Sequence, residues 1–190
     1  MEVFKDRRRG ACAGCHRMAE TSTDPSESMF TDYGYDAIAV PRNRELPGNR
    51  NPASFDLGLC ERKDAKTPSN DEKWCSNFRT PSLRNVAVRA SFGHGGTYKK
   101  LRDAVAFYAL RAVAPGRIYP GQKFDDVPPQ YRANVNIYAP IYNQREGAPP
   151  PLNDAEIDAV VAFLGTLTDA PYVAAAATAG SAAVAQLPTR

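Results

Sequence analysis

Residues 11–18 read ACAGCHRM, placing two cysteines and a histidine in a pattern that occurs once in the chain. Cys-x-x-Cys-His is the attachment signature of a c-type haem. In that reading Cys12 and Cys15 form thioethers with the haem vinyl groups, and His16 is the proximal imidazole of the iron. Two intervening residues set both sulfurs along one edge of the ring, and the adjacent histidine falls beneath the metal. A redox dithiol or half of a zinc site would use the same residue types. The first wants a strand–helix–strand context and the second needs two more ligands at comparable spacing. The sequence offers neither.

What such a haem does depends on the other face of its iron: a sixth ligand makes an electron carrier, an open face a peroxidase. His94, in SFGHGGTY, is the only histidine besides His16. Its flanking glycines favour a tight turn, where hydrogen bonds, for instance to a haem propionate, would anchor the ring. Met18 is too close to His16 to reach the opposite face, whereas Met29 could. Tyr108 shares a helical face with Leu101 and Val105 and so points inward. From spacing alone, an ordinary core tyrosine with a partnered hydroxyl is the plainer account. Cys60 and Cys75 flank a polar insert, and in an exported protein the default is a disulfide. Closing that loop would stabilise the fold by about 3 kcal/mol in the chain-entropy model.

The elements that must position these residues are few. Residues 17–57 are rich in turn formers and predict a long loop wrapped over something other than its own side chains. In KLRDAVAFYALR, Leu101, Ala104, Val105 and Tyr108 recur at i, i+3, i+4 and i+7, one face of a helix. Residues 112–151 read as loop. LNDAEIDAVVAFLGTL is the clearest helix. Asn153 is its N-cap, Glu156 completes a capping box, and Leu152 with Ile157 forms a hydrophobic staple. Ile157, Val160, Val161, Leu164 and Leu167 supply its buried stripe. No extended strand alternation appears. The expectation is one mainly α haem domain over 1–170, with an alanine-rich, low-complexity tail over 171–190.

Bulk properties agree. The chain has 190 residues, 43% of them apolar, with 16 prolines and 13 glycines, so a core and many loops are both expected. A net charge of +3 is too small to argue for nucleic acid, and KDRRR (5–9) reads as a solvated face. No apolar run of about 18 residues could span a membrane. Haem is joined to Cys-x-x-Cys-His outside the cytoplasm, so a periplasmic or other extracytoplasmic location is expected. The opening MEVFKDRRRG is no signal segment, which suggests a removed signal or a piece of a longer chain.

FRTPSLRNVAVRASFGHGGTYKKLRDAVAFY (78–108) resembles the C-terminal haem domain of the bacterial di-haem cytochrome c peroxidase/MauG family. That family carries a Pro-[Ser/Thr]-Leu-Arg-Asn-Val segment, a His-x-Gly turn and a Leu-x-x-Ala-Val helix. FTDYGYDAIAVPRN (30–43), DLGLC (56–60) and LNDAEIDAVVAFLGTLTD (152–169) fit it too, in the same order. The resemblance spans residues 4–169. It implies a class I cytochrome c-like helical domain with long loops around one covalently bound haem c. It also implies a second, peroxide-splitting haem domain as partner, upstream, on another chain or lost, and a small redox protein such as a cytochrome as donor. In the peroxidases the C-terminal haem takes a methionine from the Leu-x-x-Ala-Val helix as sixth ligand; MauG-like members place a tyrosine there. Here that position is Tyr108, fourteen residues after His94. The resemblance thus makes His16 and Tyr108 the axial ligands, with Met29 the distal alternative, and sets His94 and Arg84 near the propionates. The implied function is a peroxidase-type oxidoreductase acting on or with hydrogen peroxide. A plain one-haem electron carrier is the alternative. The class I fold wants a helix before the haem motif that crosses the last one, and MEVFKDRRRGA leaves only a stub for it.

Overall fold

The computed structural model describes residues 1–19, 24, 27–62 and 71–172, so the alanine-rich tail beyond Tyr172 lies outside the described residues. Regular structure is mostly helical: α1 (Glu2–Lys5), α2 (Leu101–Leu110), α3 (Pro115–Ile118) and α4 (Asp154–Gly165). Two short strands, β1 (Tyr35–Asp36) and β2 (Phe78–Arg79), pair antiparallel with Tyr35 opposite Arg79. This pattern is consistent with a cytochrome c-like domain. No described helix is long and apolar enough to cross a membrane.

The last helix forms as its sequence requires. Asn153 Oδ1 accepts from the Glu156 N–H at 3.0 Å, and Glu156 Oε2 accepts from the Asn153 N–H at 2.9 Å. This reciprocal cap satisfies two orphan donors of the first turn and contributes about 1 kcal/mol. Leu152 and Ile157, which flank it, are both buried. Val160, Leu164 and Leu167 continue the buried stripe, while Val161 is only partly covered. Phe163, outside the expected stripe, is buried as well. The reason is α1. Its Phe4 is 1% exposed, with its ring 5.1 Å from Phe163 and 6.1 Å edge-on to Phe30. One four-residue helix therefore makes the contact with α4 for which the sequence promised only a stub, because a single phenylalanine carries the packing.

The helix α2 lies against α4 and shares its core through Val105 and Ala109. The Leu-Arg-Asn motif fastens the far end of α4. Asn85, in the left-handed region at φ 58°, donates its N–H to the Leu167 carbonyl at 3.0 Å. Its side chain exchanges hydrogen bonds with Asp169 at 2.9 and 2.8 Å, and Arg84 pairs with the same carboxylate at 3.3 Å.

The long loop before residue 57 has its own anchor. Arg42, its side chain 4% exposed, pairs with Asp126 at 2.8 Å and donates to the carbonyls of Asn49, Asn51 and Ser54. Further along, Ala39 packs with Val127 and Val135 in a second small core. Residues 112–151, expected as loop, include α3 and a 3₁₀ segment at Pro129–Asn134. Both open on prolines whose missing N–H costs nothing in a first turn. The sulfurs of Cys60 and Cys75 lie at bonding distance, with Cα atoms 4.8 Å apart.

Candidate functional site

The Cys-x-x-Cys-His segment turns tightly. Ala11 adopts the left-handed conformation (φ 49°) ahead of a 3₁₀ turn over Cys12–Gly14, and the His16 N–H closes onto the Cys12 carbonyl at 2.9 Å. Gly10 lets this turn sit against α1, since a Cβ there would lie 2.5 Å from the Val3 carbonyl oxygen. The Cys12 thiol and the Cys15 thiol are free of one another. Burial pushes Cys12 up to about 12. Burial, then Asp36 and Asp32, also raise Cys15. Neither thiol carries the lowered pKa by which a reactive redox dithiol is recognised.

His16 is held by its backbone surroundings. Its Nδ1 lies 3.0 Å from the Phe30 carbonyl oxygen. A carbonyl can only accept, so Nδ1 carries the proton and Nε2 keeps its lone pair for a metal. Burial lowers the His16 pKa below its ordinary value, against the Phe30 carbonyl, Asp32 and the Pro81 carbonyl, which favour the proton. The neutral, ligating form is thereby preferred. Phe30 is itself strained: a fully buried bulky residue at φ 52°. Such a conformation persists where packing enforces it, and here the Phe4 and Phe163 rings do so while the carbonyl is aimed at His16.

Tyr108 faces the same place from α2. Burial raises its pKa well above the usual tyrosine range, and electrostatic coupling to Cys12 and Cys15 acts in the same direction, so its hydroxyl lies within electrostatic reach of both thiols. Arg111 pulls the other way. Tyr108 stacks on Tyr142 with centroids 6.1 Å apart and planes at 18°. The structure thus sets Tyr108 within electrostatic reach of the turn that carries Cys12 and Cys15. Two thiols, an imidazole with a directed lone pair and a phenol are side chains whose chemistry fits a haem group.

His94 and Arg84, the residues expected near the propionates, have protein partners of their own. His94 sits on a turn set by Gly93 (φ 81°), where a Cβ would meet Val40 at 2.9 Å. Its Nε2 lies 2.9 Å from Asp56 Oδ2, and its ring stacks on Phe78 at 3.6 Å. Arg84 is engaged by Asp169. Met29 is 53% exposed, and its carbonyl accepts from the Ser82 hydroxyl at 2.6 Å. Sequence reasoning missed the Phe30 carbonyl, Tyr142 and Arg111. Only Arg111 left a signal, as a charged residue one helical turn beyond Tyr108 on an inward face.

No family model matches the chain. It is 31% identical over 174 residues to the methylamine utilization protein MauG of Paracoccus denitrificans, an alignment covering 85% of this chain and 40% of that protein. The MauG of Methylophilus methylotrophus is 28% identical over 111 residues, covering 58% and 26%. Among solved structures, the diheme peroxidase BthA of Burkholderia thailandensis superposes with a TM-score of 0.83 at 50% identity. That match covers 90% of this chain and 42% of BthA. A tyrosine-to-methionine variant of BthA superposes equally well. The chain spans about two fifths of the length of the first of these curated relatives and of BthA.

Proposed function

We propose that this chain, which belongs to the di-haem cytochrome c peroxidase/MauG family, is the electron-transfer half of an oxidoreductase that reduces hydrogen peroxide or uses it to oxidise a substrate. The observation that supports this reading is the electrostatic reach between Tyr108 and the two cysteines of the Cys-x-x-Cys-His turn. A haem bound there supplies one-electron redox chemistry. The chain's own residues do the rest. Cys12 and Cys15 tether the ring, and the Phe30 carbonyl fixes the His16 tautomer and keeps Nε2 directed. Tyr108 would be the second protein ligand of the iron, which would keep peroxide from it and leave this domain the transfer of electrons. This is the C-terminal type of domain in the family, one haem c per chain, and the peroxide-reactive haem belongs to a second domain, upstream or on a partner chain. A small redox protein such as a cytochrome, or an organic substrate, is the electron source.

The test is a haem-to-polypeptide ratio on the native complex, joined to a peroxide assay. One covalent haem on this chain and a second on the partner domain are expected, with peroxide consumption only when both are present. Rapid peroxide turnover by this chain alone would sink the division of labour. A native assembly with a single haem would leave a plain electron carrier instead.

Haem attachment outside the cytoplasm argues for a periplasmic or other extracytoplasmic location, where a Cys60–Cys75 disulfide persists. Peptide mapping of the native protein without reductant should recover the two cysteines in one linked species. Cys60→Ser/Cys75→Ser should lose about 3 kcal/mol of stability in denaturant unfolding, because the unfolded chain regains the freedom of that loop. Recovery of both as free thiols from protein kept under oxidising conditions would refute the linkage.

A further inference from the structure

Arg111 has no part in the function as described, yet it is a fully buried cation, 1% exposed and the bulkiest of the most deeply buried side chains. It follows Tyr108 by three positions, as the C-cap of α2, the spacing at which helical side chains are neighbours. Its Nη1 donates to the Ile38 carbonyl at 2.7 Å, and its Nη2 donates to the Asn136 carbonyl. The guanidinium lies 3.7 Å from the centroid of the Tyr142 ring, and that ring stacks on Tyr108. Two carbonyls satisfy hydrogen bonds but do not neutralise charge. Among the described residues no carboxylate lies within ion-pair distance of Arg111. Asp36 acts on it only from further away, and its own carboxylate accepts from the Asn136 side chain at 2.8 Å. The groups facing Arg111 are otherwise phenols: Tyr142, Tyr119 and Tyr108. A buried cation without a counter-charge is costly, and a protein keeps one where an anion arrives to meet it.

We propose that Arg111 is the fixed positive charge that balances the Tyr108 oxygen once that oxygen is an anionic iron ligand, with the Tyr142 ring packed against both. The inference rests on the reading of Tyr108 as the axial ligand. Arg111 is a positioning residue: it holds the ligand anion in place and sets the potential of the iron without touching it. A charge acts through space in this buried setting because screening by water is weak there.

The experiment compares haem-loaded Arg111→Met and Arg111→Lys with the parent at one neutral pH, by ferric electron paramagnetic resonance and by redox titration. Arg111→Met should weaken retention of the tyrosinate signature, shifting the ratio of tyrosinate-ligated to unligated ferric protein by roughly tenfold, or lower the reduction potential where the ligand stays bound. Arg111→Lys, which keeps the charge, should restore the parent values. Should Arg111→Met fail to fold, Arg111→Gln keeps amide donors for the Ile38 and Asn136 carbonyls and removes the charge, with the same expected result. Parent-like spectra and potential in the uncharged variant would overturn the proposal, as would a Lys variant as altered as the Met one. In a Tyr108→Phe background Arg111→Met should leave the ferric spectrum unchanged and lower the potential by less than in the parent; an equal fall there would mean that the counter-charge is another anion, such as a haem propionate, and that the proposal is wrong. Tyr108→Phe alone separates the two ideas: if it leaves the parent spectrum unchanged, it is the ligand reading that has failed.

Discussion

The Cys12→Ala/Cys15→Ala variant is expected to emerge from an export-competent host without covalently bound haem, while the parent carries one haem that survives denaturation. Covalent attachment needs both sulfurs, and no other cysteine in the chain adjoins a histidine. The structure adds a physical reason to expect attachment at this place. Both thiols are neutral and side by side on a tight turn, and the imidazole beside them is held neutral by burial and directed by the Phe30 carbonyl. Haem staining after denaturing electrophoresis, with intact mass, reads the result directly. Unchanged haem mass on the double variant would remove the cofactor assignment, and with it every redox statement made for this chain. A single Cys15→Ala variant should retain one thioether or lose the haem, but should not carry the parental linkage.

Replacing Tyr108 by Phe should convert the ferric centre from a six-coordinate tyrosinate form to one that is five-coordinate or water-ligated. The ring and its stacking on Tyr142 remain; only the oxygen is removed. Loss of an anionic ligand should raise the reduction potential, since tyrosinate stabilises ferric iron, and the vacated position should admit peroxide. Tyr108→Met, the kind of exchange carried by the solved BthA variant, should instead give a His/Met centre of higher potential. Tyr108→His should give a bis-histidine low-spin spectrum. Electronic and electron paramagnetic resonance spectra distinguish all three. Met29→Leu and His94→Ala should be silent in the same spectra, because Met29 is exposed and His94 is bound to Asp56. Spectral change in either of those variants, with Tyr108→Phe silent, would move the ligand assignment.

Several features were legible because they are written in local sequence. The capping box at Asn153 and Glu156 follows from four consecutive residues, and so does the start of α4. The helix carrying Tyr108 follows from one apolar period. The turn at His94 follows from its glycines, and its partner does not: Asp56 is 38 positions away. Phe163 was missed for a comparable reason. A helical stripe read from one segment shows a single buried face, whereas Phe163 is covered by Phe4, which comes from the other end of the chain.

The Cys12, Cys15 and His16 triplet and the helix that bears Tyr108 were determined by sequence alone, since each depends on neighbours within a few residues. Four things were decided only in the tertiary structure. A four-residue α1 suffices to pack on α4. The Phe30 carbonyl, fourteen residues on, selects the His16 tautomer. Tyr108 comes within electrostatic reach of both thiols although it lies far from them in sequence. Arg111 is buried among carbonyls and phenols supplied by residues 38, 136 and 142. The physical reason is common to all four. Burial, strain and the field at a buried group are sums over atoms brought close by folding, and no window of sequence contains them.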